Sequence, residues 1–84
     1  MPYITQPARE RLDKEIAALA SRIQSSGELN YAITRLLLAT TPQTYSDYNA
    51  LVGVLECAKL ELYRRAVAKY EDGKALTNGD VDRG

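Results

Sequence analysis

The sequence predicts an all-α fold in which three helices form one domain and the third helix is much the longest. Apolar residues recur at intervals of three and four along most of the chain, which is the spacing of one helical face. Helix-breaking clusters around Gly27 and Pro42 divide this pattern into three segments. We therefore expect a three-helix domain over residues 1–73, a polar C-terminal tail over residues 74–84, and assembly into a helical oligomer.

The first helix is expected to begin after Thr5 or Gln6, because Pro7 suits a first turn in which its missing N–H is no loss. Its apolar face consists of residues at helical spacing, namely Leu12, Ile16, Leu19 and Ile23. Charged residues, Arg22 among them, fill the other positions and are expected to face solvent. The serine pair before Gly27 should end this helix, with Gly27 in a left-handed cap.

The second helix is expected to run from about Glu28 to Ala39. The Glu28 carboxylate would then lie favourably at the positive end of the helix dipole. The inner side is marked by Leu29, Ile33, Leu36, Leu37 and Thr40. Pro42 should break the helix, because the residue before a proline disfavours the helical region.

The third helix is expected to begin at Thr44, whose hydroxyl can cap it together with Asp47 three positions later. It should run to Glu71 or Asp72 and end at Gly73. Its main apolar seam consists of Tyr48, Leu51, Leu55, Ala58, Leu62 and Ala66. Further residues spread the apolar surface beyond that seam: Val52, Gly53, Val54, Cys57, Leu60 and Val67. Two shorter helices can cover only part of so broad a surface, so we expect a second copy of the chain to cover the rest.

Size and composition also favour self-association. A lone core in a chain of 84 residues contributes only about 3–5 kcal/mol, and small domains often recover the difference by disulfides, metals or oligomerisation. Cys57 is the only cysteine and there is no histidine, so no intrachain disulfide and no cysteine–histidine pair can form. We expect Cys57 to be a small buried apolar residue, and we expect no enzyme activity, cofactor or metal site. Residues 78–82 resemble a calcium loop but lack its closing glutamate, so a plain turn is predicted.

Charge and hydropathy argue against several classes of partner. Eleven basic and 11 acidic residues give a net charge of zero, whereas duplex-binding domains usually carry a basic excess. No segment approaches the roughly 20 apolar residues of a membrane span, and no apolar signal sequence follows Met1. We expect a cytoplasmic protein that has neither a membrane nor duplex nucleic acid as a partner.

A polar and aromatic stripe on the third helix is the first candidate site. Glu56, Tyr63 and Tyr70 recur every seven residues and should lie along one side, with Lys59 one turn from Glu56. In one interpretation, Glu56 and Lys59 form a local ion pair while the tyrosines border the core with their hydroxyls in water. In the other interpretation, the rings stack on a ligand and nearby cations neutralise its phosphate or carboxylate.

Arg64 is the cation that we expect to contact such a ligand. Arg65 follows Glu61 by four residues, which is the favourable orientation for a surface ion pair. Arg64 has mainly apolar neighbours one turn away, and Arg65 competes with it for Glu61. An arginine in such surroundings either extends into solvent or binds an anion from outside the helix.

Asn30 and Tyr31 complete the set of candidate ligand-binding residues. They follow the turn at Gly27, and Thr34 lies one helical turn after Asn30. Asn30 and Thr34 can jointly hydrogen-bond a ligand or the end of the third helix. Alternatively, Asn30 helps to satisfy the backbone at the start of the second helix.

Four blocks of sequence resemble a known family of small proteins. They are GELNYAITRL at residues 27–36, GVLECAKLELYRR at 53–65, YED at 70–72 and NGDV at 78–81. The family occurs in bacterial and phage genomes and is defined only as a domain of unknown function. The resemblance implies no activity, but a phage context suggests an inhibitor, such as a protein that sequesters nucleotide signals of host defence.

Two classes of function follow from these observations. The first is a non-catalytic oligomeric binder of a small anionic ligand, with a nucleotide as the best example, that uses Asn30, Tyr31, Lys59, Tyr63, Arg64 and Tyr70. The second is a protein–protein interaction module or inhibitor whose third helix docks a host or phage protein. A concave site lined by tyrosine and cation would favour the first class, and a flat apolar patch would favour the second.

Overall fold

The computed structural model describes residues 4–79, and all the secondary structure in this range is helical. The chain forms α1 (Gln6–Arg22), α2 (Ser26–Ala39), α3 (Tyr45–Leu62), a π-helical turn (Tyr63–Val67) and α4 (Ala68–Asn78). The last three segments follow one another without a break, and we call them together the long helix. The predicted all-α class, with three helices and a long last one, is therefore confirmed.

The start of α1 agrees with the prediction, but its end does not. The Thr5 side chain accepts a hydrogen bond from the backbone N–H of Ala8 at 3.4 Å, and Pro7 lies in the first turn. The helix ends at Arg22, because Ile23 takes an extended backbone conformation with φ −80° and ψ 124°. The expectation that Gly27 ends this helix in a left-handed cap is wrong, since Gly27 lies inside α2.

Side chains on both sides of the α2 start explain why this helix begins earlier than predicted. The Ser25 hydroxyl accepts from the backbone N–H of Glu28 at 3.1 Å, and the Glu28 carboxylate accepts from the backbone N–H of Gln24 at 2.9 Å. The first bond satisfies a donor that a helix start leaves unpaired, and the second holds the residue before the cap against the first turn, so the helix begins at Ser26 rather than at Glu28. It ends at Ala39, as predicted from Pro42.

The long helix begins with the predicted capping box. The Thr44 hydroxyl accepts from the backbone N–H of Asp47 at 3.1 Å, and the Asp47 carboxylate accepts from the backbone N–H of Thr44 at 3.2 Å. Both bonds span only three residues, so the sequence motif contains everything that the cap requires.

The long helix does not end where the sequence suggested. It continues through Gly73 to Asn78, and Gly79 ends it with a positive φ of 93°. The prediction that Gly73 ends the helix is therefore wrong, and residues 74–78 of the predicted tail are helical. An interior glycine costs a helix only about 1 kcal/mol, and this cost is small enough for the helix to continue through Gly73. The predicted turn at residues 78–82 and the rest of the tail lie outside the described residues beyond Gly79.

The chain divides into two compact units, Met1–Gln43 and Thr44–Gly84. None of the described residues in either unit is buried, and large apolar side chains of every helix are exposed. The expectation that Cys57 is buried is wrong, because its thiol is exposed on the long helix. The physical reason is that, within residues 44–79, the second unit contains only this helix and so has no other element with which to cover it. The packing of three helices into one domain, its boundary at residue 73 and its assembly into an oligomer stay predictions.

Candidate functional site

The unit Met1–Gln43 contains a groove between α1 and α2. Its volume is about 560 Å³, which falls within the range of roughly 300–1,000 Å³ that is usual for small-molecule sites. The lining consists of Leu19, Arg22, Ile23, Glu28, Tyr31, Ala32, Arg35, Leu36 and Ala39. Most of these residues are apolar, and the polar ones are two arginines, a glutamate and a tyrosine.

Helical spacing explains how each wall of the groove arises. Leu19 and Arg22 lie one turn apart at the end of α1, and Ile23 follows directly after the helix. On α2, one face carries residues spaced by four, three and four positions, namely Glu28, Ala32, Arg35 and Ala39. The small alanine side chains leave space between the helices, and only three residues separate Arg22 from the start of α2.

The two arginines give the groove its binding potential. Within residues 4–79, the guanidinium groups of Arg22 and Arg35 form no ion pair or hydrogen bond. Glu28 is already engaged, because its carboxylate accepts from the backbone N–H of Gln24. Tyr31 is exposed beside them, so a phenol ring, two cations and an apolar floor are available to one ligand.

Asn30 and Tyr31 were both predicted to bind a ligand, but only one of them is part of the groove. Tyr31 lines the groove, whereas Asn30 does not. The hydroxyl of Thr34 donates to the backbone carbonyl of Asn30 at 2.9 Å. This hydroxyl is therefore engaged with the α2 backbone, which weakens the idea that Asn30 and Thr34 bind a ligand together.

Lys59 and Glu56 on the long helix form the local ion pair that the first interpretation of the stripe predicts. Lys59 Nζ lies 2.8 Å from Glu56 Oε1, and both side chains are exposed. An exposed pair of this kind contributes little to stability, but it gives the Lys59 ammonium group a carboxylate partner.

Arg64 and Arg65 share a single carboxylate. Arg65 Nε donates to Glu61 Oε1 at 2.8 Å, and the guanidinium of Arg64 donates to the same oxygen at 3.2 Å. The predicted pair of Arg65 with Glu61 is therefore present, and Arg64 shares its carboxylate. Residues three and four positions after an acid are both within its reach on a helix, and here both are used.

The π turn separates Tyr63 from Tyr70. The backbone N–H of Ala68 bonds to the carbonyl of Tyr63, five residues earlier, instead of four. Such a turn adds about one residue and rotates everything after it by about 100° relative to a regular α-helix. Tyr70 therefore leaves the line of Glu56 and Tyr63, and the predicted stacking of all three on one side is wrong. The Tyr70 ring instead lies under Lys74, whose Nζ is 5.6 Å from the ring centre.

Arg22, Arg35 and Glu28 line the groove but were not among the predicted site residues. A signal was present, because Arg35 follows Tyr31 by four residues and so shares its side of α2. The sequence pattern placed Arg22 on a solvated face, and only the position of α2 shows that this face borders a groove.

Two other classes of site receive no support from residues 4–79. This range contains no group of three or more histidine, cysteine, aspartate or glutamate residues that could hold a metal ion. None of its helices is both long enough and apolar enough to cross a membrane.

Comparison with known families gives one match. The family model described as Domain of unknown function (DUF6899) matches residues 1–81. The chain belongs to this family. The resemblance to a domain of unknown function is therefore confirmed over nearly the whole chain. No curated protein and no solved structure matches the chain.

Proposed function

We propose that this member of the family is a non-catalytic binding protein that sequesters a small anionic ligand with a flat or apolar body, of which a nucleotide is the best example. The observation that carries the proposal is the α1–α2 groove, where Arg22 and Arg35 lie beside Tyr31 above an apolar floor.

Each part of the groove matches one part of such a ligand. The planar guanidinium forks of Arg22 and Arg35 suit the oxygen atoms of a phosphate or carboxylate. Stacking of a base on an aromatic ring such as Tyr31 contributes about 1–3 kcal/mol and requires no particular base. The neutral net charge of the chain is compatible with this role, because two local cations are enough for one anionic group.

The groove also changes which residues carry the proposal. Lys59 and Arg64, the cations first considered, already have carboxylate partners on the long helix. Tyr31 is retained, and Arg22 and Arg35 take over the binding of the anion. Sequestration fits better than turnover, because the only carboxylate in the lining, Glu28, is bound to the backbone.

The biological setting is part of the same proposal. We propose that the protein is encoded in a bacterial or phage genome and removes a nucleotide signal of host defence. The compartment that we propose is the cytoplasm, where the single thiol of Cys57 stays reduced. The working form that we propose is a homodimer or a higher oligomer, since the apolar faces of the helices need a cover.

Ligand screening with matched variants tests the proposal. A panel of linear and cyclic nucleotides is added to the purified chain, and thermal shift is followed by calorimetric titration of every hit. A ligand at about 100 times its Kd adds about 2.7 kcal/mol of stability. Arg22→Gln and Arg35→Gln should each cost about 1.5–3 kcal/mol of binding, as expected for a charge-assisted hydrogen bond.

Arg11→Gln on α1 is the control, because Arg11 makes the same charge change outside the groove lining. We expect it to leave the affinity within about twofold, since a distant exposed charge is largely screened. The proposal fails if no nucleotide binds, or if Arg11→Gln weakens binding as much as Arg35→Gln does.

A protein-docking role is the second candidate, and a separate observation favours it. Large apolar side chains are exposed on all the described helices, including Leu36, Val54 and Leu62. Exposed apolar surface on this scale marks interaction sites in soluble proteins. If the nucleotide screen is negative, an amphipathic helix of a host or phage protein becomes the expected ligand of these faces.

A further inference from the structure

Acidic and basic residues are arranged symmetrically on one face of the long helix. When the chain direction is reversed, each acidic position coincides with a basic one. This face follows from spacings of three and four residues, which keep side chains on one side of a helix, and the extra residue of the π turn brings Glu71, eight positions after Tyr63, toward the line that Tyr70 would otherwise occupy. We call it the pairing face, and it consists of Glu56, Lys59, Tyr63, Val67, Glu71 and Lys74.

The spacing of the pairing face is symmetric about Arg65. Its members follow one another at intervals of three, four, four, four and three residues. Glu56 and Lys74 lie equally far from Arg65 on either side, and so do Lys59 and Glu71. Each of these two symmetric pairs therefore combines an acid with a base, and the central pair combines Tyr63 with Val67.

Arg65 itself does not obstruct this symmetry. Its Nε is bound to Glu61 at 2.8 Å, and Arg64 is bound to the same carboxylate. These three residues lie on the side of the helix turned away from Lys59 and Tyr63. The centre of the pairing face is therefore aromatic and apolar, with charges toward both ends.

Neither of the other two helices is as long as the long helix. The long helix contains segments of 18, 5 and 11 residues, so it is about 50 Å long at 1.5 Å per residue. With 17 and 14 residues, α1 and α2 are about 26 Å and 21 Å long. Part of the long helix therefore needs a partner other than α1 or α2 alone.

We propose that this partner is a second copy of the chain, whose long helix lies antiparallel on the pairing face with the two-fold axis at the level of Arg65. Glu56 and Lys59 of one copy then face Lys74 and Glu71 of the other, and Tyr63 packs on Val67 of the second copy. The same contacts repeat across the axis, as an isologous interface requires. A parallel pair would place Glu56 on Glu56 and Lys59 on Lys59, so like charges oppose that arrangement.

The inference rests on the self-association proposed above, but it does not depend on the nucleotide. A dimer built in this way leaves the groove on α1 and α2 outside the pairing face. Failure of ligand binding and failure of pairing are therefore separate results.

A charge-exchange experiment on the full chain tests the register and the direction of the pair. Lys59→Glu places glutamate against Glu71 of the second copy, and Glu71→Lys places lysine against Lys59, each twice per dimer. Sedimentation equilibrium should show each variant alone associating about tenfold to a hundredfold more weakly than the original chain. An equimolar mixture of the two variants restores opposite charges at both contacts, so it should associate within about threefold of the original chain.

A control pair separates this effect from the attraction between oppositely charged proteins. Lys14→Glu and Glu10→Lys on α1 carry the same net charges as the test variants, and both positions are exposed. Each should associate like the original chain, alone or mixed. Helix content, measured by circular dichroism before and after mixing, shows whether a weakened variant has lost its fold and regains it with its complement.

Three results would overturn the inference. The original chain could sediment as a monomer at about 50 μM, a concentration at which a functional homodimer with micromolar Kd is assembled. The single variants could associate as well as the original chain. The mixture could stay as weak as its components, which would place the contacts of the dimer elsewhere.

Discussion

Replacing Gly73 by alanine distinguishes a glycine inside the long helix from one that ends it. The helix runs through Gly73 to Asn78, and a Cβ atom added at Gly73 would meet nothing within 4 Å beyond its chain neighbours and the adjacent helical backbone. Alanine reduces the freedom of the unfolded chain and fits the helical backbone without strain. We therefore expect Gly73→Ala to stabilise the protein, although a C-terminal glycine cap would predict the opposite.

The expected gain follows from helix propensities. A glycine in a helix interior is less favourable than alanine by about 0.5–1 kcal/mol. For a domain of this size, 1 kcal/mol changes the melting temperature by roughly 4–8 °C, so the expected rise is about 2–8 °C. Gly79→Ala is the matched control, because Gly79 has φ 93° and an alanine there is strained. It should give no gain.

Thermal unfolding followed by far-ultraviolet circular dichroism measures both variants. All samples are held at one protein concentration, so that any association contributes equally to every melting temperature. The reasoning is refuted if Gly73→Ala lowers the melting temperature while Gly79→Ala leaves it unchanged. That result would show that the helix ends at Gly73 in solution.

Two further predictions concern hydrogen bonds and ion pairs of the long helix. Thr44→Ala should cost about 1 kcal/mol, because it removes the hydroxyl half of the capping box, whereas Thr44→Ser should keep most of the stability. A larger loss with serine than with alanine in urea unfolding would contradict this role. Glu61→Gln should cost under about 1 kcal/mol, because the Arg64 and Arg65 side chains that it pairs with are 66% and 56% exposed. A loss of more than about 2 kcal/mol would mean that a partner covers this carboxylate in solution.

The exposed apolar faces connect the fold to both proposals. Folding costs conformational entropy at every ordered residue, and burial of apolar surface is the main contribution that offsets it. No described residue of either unit is buried, so helices this apolar depend on a further contact to remain folded. A second copy on the pairing face would supply part of that contact, and none of the residues that line the α1–α2 groove belongs to that face.

The starts of the helices and the all-α class could be predicted from the sequence because their causes are local. Thr5 caps α1, and Thr44 and Asp47 cap each other at the start of the long helix. These bonds join residues only three positions apart, so the motif contains both partners. The ion pair between Glu56 and Lys59 follows from the same short spacing.

The helix ends, the π turn and the groove could not be predicted, because their causes lie beyond the local motif. Glycine is tolerated inside a helix and also favoured after it, so the residue type at Gly27 and Gly73 does not decide between the two. The π turn at Tyr63–Val67 has the backbone angles of an ordinary helix at its borders, and periodicity alone does not reveal the added residue. Arg22 and Arg35 become one site only when the short connection between α1 and α2 brings their faces to a common groove. The sequence by itself therefore determined which segments are helical and where most of them begin, whereas the tertiary structure decided which side chains share a face or a site, because that depends on how segments are rotated and placed relative to each other.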